Sequence, residues 1–128
     1  MLNGLKVLVV EDNSEDREVL LAELAHYGAT ARASACVAEA LAGLDELRPN
    51  VVVADIGMPG EDGYSLIRKI RACPPDHGGL TPAIALTAYA GGANRKRALE
   101  AGYQRHMTKP ADPHELARTI VRLANRQI

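Results

Sequence analysis

Tryptophan and phenylalanine are absent from this 128-residue chain, and tyrosine occurs only four times. Single-strand nucleic-acid binders stack bases on aromatic faces, so that class of function has little material here. The core must come from Leu, Val, Ile and Ala. A hydrophobic content of 47% supplies enough of them for a domain of this length without disulfide or metal staples. Cys36 and Cys73 are the only cysteines. They lack the close pairing of a redox or zinc motif and read as small buried hydrophobes in a reducing compartment. A dominant charge is also missing. The net charge of −1 gives no bulk attraction to nucleic acid or to an anionic membrane. No apolar run approaches the ~18 residues of a membrane span. The run from Leu5 leads straight into Glu11, which is not a signal-peptide layout. One soluble cytoplasmic domain over residues 1–128 is expected.

What is present alternates regularly. Leu5–Val10 is short, β-branched and apolar, as in a strand buried on both faces. Asn13 or Ser14 can cap a helix that carries Val19, Leu20, Leu24 and Tyr27 on one stripe and ends at Gly28. Ala29–Ser34, small-residue rich and bearing Arg32, suits a sheet edge. Val37, Ala40, Leu41, Leu44 and Leu47 fall at helical spacing before Pro49-Asn50. Val51–Ala54 is a second buried strand that delivers Asp55, and Gly57–Gly60 is a loop. A helix follows from about Asp62 to Ala72 with Leu66, Ile67 and Ile70 inward. After a turn-rich connection, Pro82–Thr87 reads as a third buried strand. Gly91-Gly92 opens a helix that Gly102 closes, and Tyr103–Thr108 is the last strand. Asp112, Pro113 and Glu115 form a helix start signal, with Leu116, Ile120, Leu123 and Ala124 inward. This β-α alternation predicts a parallel sheet with helices on both faces, and ligands then bind beyond the carboxyl ends of the strands.

The residues just past those strand ends are Glu11 and Asp12, Asp55, Thr87 and Lys109. Carboxylates gathered in one cleft repel one another, and a divalent cation removes the conflict. Mg²⁺ (or Mn²⁺) suits oxygen donors from Glu11, Asp12 and Asp55, with the Gly57 carbonyl as a further ligand. The cluster contains neither His nor thiolate, which argues against zinc. An aspartate can attack phosphorus directly, and phosphoryl transfer then needs mainly positioning and charge stabilisation. Asp55 would accept the group, Lys109 would hold its oxygens, and Thr87 would donate to it only after transfer, which biases a two-state loop. Each residue alone also fits a cap, a turn or a strand end. Their joint placement carries the reading.

These residues resemble the receiver domain of bacterial two-component response regulators. The matching segments are Val7–Asn13, Asp55–Gly63, Leu86-Thr87-Ala88 and Lys109-Pro110, in the family's order and over nearly the whole chain. The resemblance implies a flavodoxin-like (βα)5 doubly wound fold with strand order 2-1-3-4-5 and the first and fifth helices on one face. It also implies that Asp55 takes phosphate from a phosphohistidine on a histidine kinase or histidine phosphotransfer protein. Glu11 and Asp12 match the metal-binding acids, Thr87 the switch hydroxyl, Lys109 the phosphate-binding lysine, and Pro110 a proline whose peptide bond is often cis. Gly57 and Tyr89 match positions that tune phosphoryl lifetime. His106 stands where the family usually has an aromatic switch residue. It reads either as an exposed strand histidine or as a pH-sensitive switch partner of Thr87. His26, His77 and His114 read as surface residues.

Leu2–Leu5, Pro74–Tyr89 and Gly102–Pro110 look like receivers of hybrid histidine kinases. The chain would then be an excised domain, held on the cytoplasmic side of a membrane-bound kinase, or a free-standing regulator. With no effector domain after Ile128, DNA binding is not expected. Arg95, Lys96 and Arg97 open the fourth helix, either as a solvated face or as part of an output surface formed with the last strand and helix. The donor would use the cleft rim and the first helix. Two other readings compete. A haloacid-dehalogenase-like phosphatase would need an acid two residues after the nucleophile, where Gly57 stands. A degenerate receiver acting only as an interaction module would not need all five site residues. The expected activity is self-catalysed transfer and autodephosphorylation, not turnover of small substrates.

Overall fold

A computed structural model describes residues 1–57, 62–88 and 92–125. The elements run β1 (Lys6–Val10), α1 (Ser14–His26), β2 (Thr30–Ser34), α2 (Val37–Leu47), β3 (Val51–Asp55), α3 (Gly63–Ala72), β4 (Ala83–Thr87), α4 (Gly92–Ala101), β5 (Arg105–Thr108) and α5 (Pro113–Asn125). All strand pairs are parallel, in the order β2-β1-β3-β4-β5. This is the flavodoxin-like (βα)5 topology. Part of the loop after Gly57, together with Tyr89 and Gly91, lies outside the described residues.

Strand alternation divides the apolar residues between two cores. Val7, Val9, Val51, Val53, Ile84 and Leu86 face α1 and α5, where Leu20, Leu24, Leu116 and Ile120 meet them. Leu8, Val10, Val52, Ala54, Ala83 and Ala85 face the other way, onto Leu44 of α2, Leu66 and Ile67 of α3 and Ala98 of α4. Leu2 is fully buried in the first core, and its burial stabilises the N-terminal segment by roughly 1.5–3 kcal/mol.

Local signals explain most boundaries. Asn13 Oδ1 accepts from Asp16 N at 2.9 Å, so Asn13 is the α1 cap. Asp62 Oδ1 accepts from Tyr64 N and Ser65 N at the start of α3. Asp112 Oδ2 accepts from Glu115 N at the start of α5. β5 begins at Arg105, two residues later than Tyr103, because Tyr103 turns inward. Its hydroxyl donates to Gly63 O at 2.7 Å. Gln104 then uses its side chain: Oε1 accepts from Ala83 N at 2.7 Å and from Arg71 Nη2 at 3.0 Å. The turn-rich connection contains a short 3-10 helix, Pro75–His77.

Two cysteines correct the sequence expectation, and Val19 departs from the apolar stripe as the surplus of apolar residues on that helix allows. Cys36 is exposed and Cys73 only half-buried, because Cys36 stands at the N-cap position of α2 beside an edge strand and Cys73 at the C-cap position of α3. Val19 is 54% exposed, since Leu20 and Leu24 already fill the face that α1 turns to the sheet.

Candidate functional site

Strand periodicity builds the site. Val7 and Val9 face α1 and α5, so Glu11, two residues on, projects to the same side. Val51 and Val53 do the same for Asp55, and Met107 for Lys109. The ladder continues past the strands: Glu11 N donates to Ser34 O at 2.9 Å, and Lys109 N to Thr87 O at 2.7 Å. Three chemically distinct side chains thus converge from β1, β3 and β5 at one end of the sheet.

Lys109 Nζ lies 2.9 Å from Glu11 Oε1, 3.3 Å from Asp55 Oδ2 and 3.6 Å from Asp16 Oδ2. Asp55 Oδ1 accepts from Gly57 N at 2.9 Å. Carboxylate oxygens of Glu11, Asp12 and Asp55 lie within 4.8 Å of one another. Glu11 is completely buried, yet its Oε2 has no hydrogen-bond partner. A buried acceptor left unpaired costs about 1–3 kcal/mol. A hard cation among these oxygens would satisfy it, so the residues fit Mg²⁺.

Burial, followed by the Asp55 carboxylate, pushes the Glu11 carboxyl up to about 8. Burial would also raise Asp55. It is outweighed by the neighbouring Glu11 carboxyl, the Gly57 N–H bond and the Lys109 charge, so Asp55 stays below the usual carboxylate range. Burial opposes the Lys109 charge, but Glu11 and Asp55 more than compensate and raise its pKa. Burial thus disfavours charge on Glu11, while Lys109 and the Gly57 N–H favour the carboxylate form of Asp55.

Thr87 is buried at the end of β4, one residue beyond the Leu86 that registers with Asp55. Alternation places it with Ala85 on the α3–α4 side of the sheet. His106, registered with Ala85, occupies that same side. His106 is half-buried and its Nε2 is buried without a partner. Burial, and then the Arg95 charge, lower its pKa below the ordinary imidazole value. The Lys109–Pro110 peptide bond is cis. His26, His77 and His114 are exposed.

Sequence reasoning missed two residues. Asp16 reaches Lys109, and Arg17 Nη1 donates to Glu11 O at 3.0 Å and to Asp12 O at 3.3 Å. The available signal was their place in the first turn of α1, directly after the acidic pair. Beside the cleft, Asp16, Val19, Leu20, Glu23, Pro110 and Ala111 border an open groove of about 340 Å³.

The fold and the strand-end cluster are those of a receiver-type domain. The family model for the response regulator receiver domain matches residues 7–121, and the chain belongs to that family. Among curated relatives, it is 40% identical over 119 residues to an uncharacterised 14.6 kDa protein of Leptolyngbya boryana, covering 93% of this chain and 89% of that one. It is 30% identical over 129 residues to hybrid signal transduction histidine kinase D of Dictyostelium discoideum, covering 96% of this chain but 8% of that protein. Among solved structures it is similar to the receiver domain of the sensor histidine kinase PA1611 of Pseudomonas aeruginosa PAO1, which holds a magnesium ion coordinated in its active-site cleft. The TM-score is 0.85 at 34% identity, over 95% of this chain and 98% of that one. Among the described residues, no helix is long and apolar enough to cross a membrane.

Proposed function

We propose that the chain is a phosphoacceptor switch in a two-component phosphorelay, with Asp55 as the acceptor. The observation that carries this reading is the Asp55 carboxylate held 3.3 Å from Lys109 Nζ inside an acidic cluster with an orphaned Glu11 oxygen. An Asp55 oxygen attacks phosphorus on a phosphohistidine of a histidine kinase or histidine phosphotransfer protein. The P–N bond breaks and its electron pair leaves on the imidazole nitrogen. Glu11, Asp12, Asp55 and the Gly57 carbonyl would hold Mg²⁺, which supplies charge neutralisation for the phosphoryl oxygens. Lys109 gives up its contacts with Glu11 and Asp55 and binds a phosphoryl oxygen. The Thr87 hydroxyl donates to another, and the end of β4 draws inward.

The donor surface is the groove between α1 and the segment after Lys109. Exposed Val19 offers it an apolar contact, with Asp16 and Glu23 at its edge. The output surface is the face of α4, β5 and α5, where Arg95, Lys96 and Leu99 are exposed. His106 lies under α4 on the Thr87 side and is positioned to relay the shift.

Incubation with a small phosphodonor and Mg²⁺ tests this reading. A phosphoryl adduct seen by mass spectrometry, absent in Asp55→Asn, is the expected result. Turnover of phosphomonoesters would point to a phosphatase, and no adduct at all to an inert interaction module.

A further inference from the structure

The acidic pair sits on a turn, and a turn needs something to hold its shape while like charges push it open. Arg17 meets that need. Its Nη1 donates to two consecutive main-chain carbonyls, those of Glu11 and Asp12, at 3.0 and 3.3 Å. Arg17 is half-buried while Glu15, Asp16 and Glu18 around it are exposed, so its side chain folds back over the first turn of α1. Its main-chain N donates to Asn13 O at 2.9 Å, and Asn13 Oδ1 caps Asp16 N, so the base of the side chain is anchored as well. Among the described residues, its side-chain hydrogen bonds go to carbonyls of the site turn, and no carboxylate pairs with it.

We infer that Arg17 is a positioning residue that presets the Glu11–Asp12 turn for a divalent cation. Two carbonyls drawn to one nitrogen fix the curvature of the main chain. That curvature aims the Glu11 carboxylate, fully buried and with one oxygen unpartnered, at the same place as Asp12 and Asp55. Bonds from a charged donor are roughly twice as strong as neutral ones, so the pair holds the turn firmly. Without Arg17, the cation itself would have to order the turn, and the ordering cost would appear as lost affinity. This inference rests on the metal reading of the site given above.

The test is Mn²⁺ binding to the full chain by electron paramagnetic resonance, which needs no phosphorylation. Arg17→Met removes both donors and the charge while keeping an apolar stem. Its dissociation constant is expected to rise about tenfold, as loss of a charge-assisted pair of bonds implies. Arg17→Lys keeps a charged donor and is expected to stay within about threefold of wild type. Arg17→Gln, which lacks both charge and reach, should behave like Arg17→Met and replaces it if that variant does not fold. In phosphorylation assays the loss should appear in the Mg²⁺ concentration for half-maximal rate, not in the plateau. Unchanged Mn²⁺ affinity in both Arg17→Met and Arg17→Gln, whatever happens to thermal stability, overturns the inference alone. A wild-type chain that binds no Mn²⁺ overturns the metal reading and this inference together.

Discussion

The Lys109 ammonium lies 2.9 Å from Glu11 Oε1, joining residues 98 positions apart in the chain across the end of the sheet. The same nitrogen sits 3.3 Å from Asp55 Oδ2, so one cation bridges the residue just past β1 and the last residue of β3. In this state Lys109 occupies the acids that a divalent ion would use.

Lys109→Met therefore separates two roles. Removing a preorganised donor to the transferring group costs about 10²–10³ in rate, so phosphoryl uptake from a small donor should fall by that order. Mn²⁺ binding should persist or tighten, because the competing cation is gone from Glu11 and Asp55. Rapid-quench phosphorylation and a metal titration on the same variant check both outcomes. A parallel loss of metal binding would mean that Lys109 builds the site instead of reading the phosphoryl group.

His106 makes stability depend on pH in a stated direction. Its folded pKa lies below the free value of 6.5, through burial and then the Arg95 charge. Below that free value the unfolded chain takes up a proton that the folded state resists, so this contribution to stability falls as pH drops through the window. His106→Leu cannot titrate. The melting temperature of the variant should gain on wild type between about pH 7.5 and about pH 5.5, the range in which imidazole titrates. The carboxylates elsewhere are common to both proteins and cancel in that difference.

Gly63→Ala should unfold the start of α3 locally, although alanine favours a helix. The helix gain is at most about 1 kcal/mol. The new Cβ would stand 2.5 Å from Ile56 Cα, a main-chain atom that cannot rotate away. Overpacking of this kind costs about 1–3 kcal/mol, so the variant should be less stable in urea. The same strain displaces Ile56, next to Asp55, and weakens the Tyr103 hydroxyl bond to Gly63 O. Slower phosphorylation should therefore accompany the stability loss.

The sequence by itself determined the β-α order, the parallel sheet and the identity of the strand-end residues. Those properties follow from local periodicity and from caps such as Asn13, Asp62 and Asp112, each of which acts within a few residues. It also determined which acids could share a cation, because strand alternation carries Glu11 and Asp55 to the same side. The tertiary structure alone decided the rest. Cys36 reads as a core residue by composition and stands exposed at the N-cap position of α2 because β2 lies at the sheet edge. Val19 belongs to an apolar stripe by spacing and stays exposed because its neighbours already fill the contact with the sheet. The opposed pKa shifts of Glu11 and Asp55, the reach of Asp16 to Lys109 and the grip of Arg17 on the acidic turn depend on burial and on distances between elements. A one-dimensional pattern contains neither. Desolvation and hydrogen-bond geometry arise only once helix and sheet have packed.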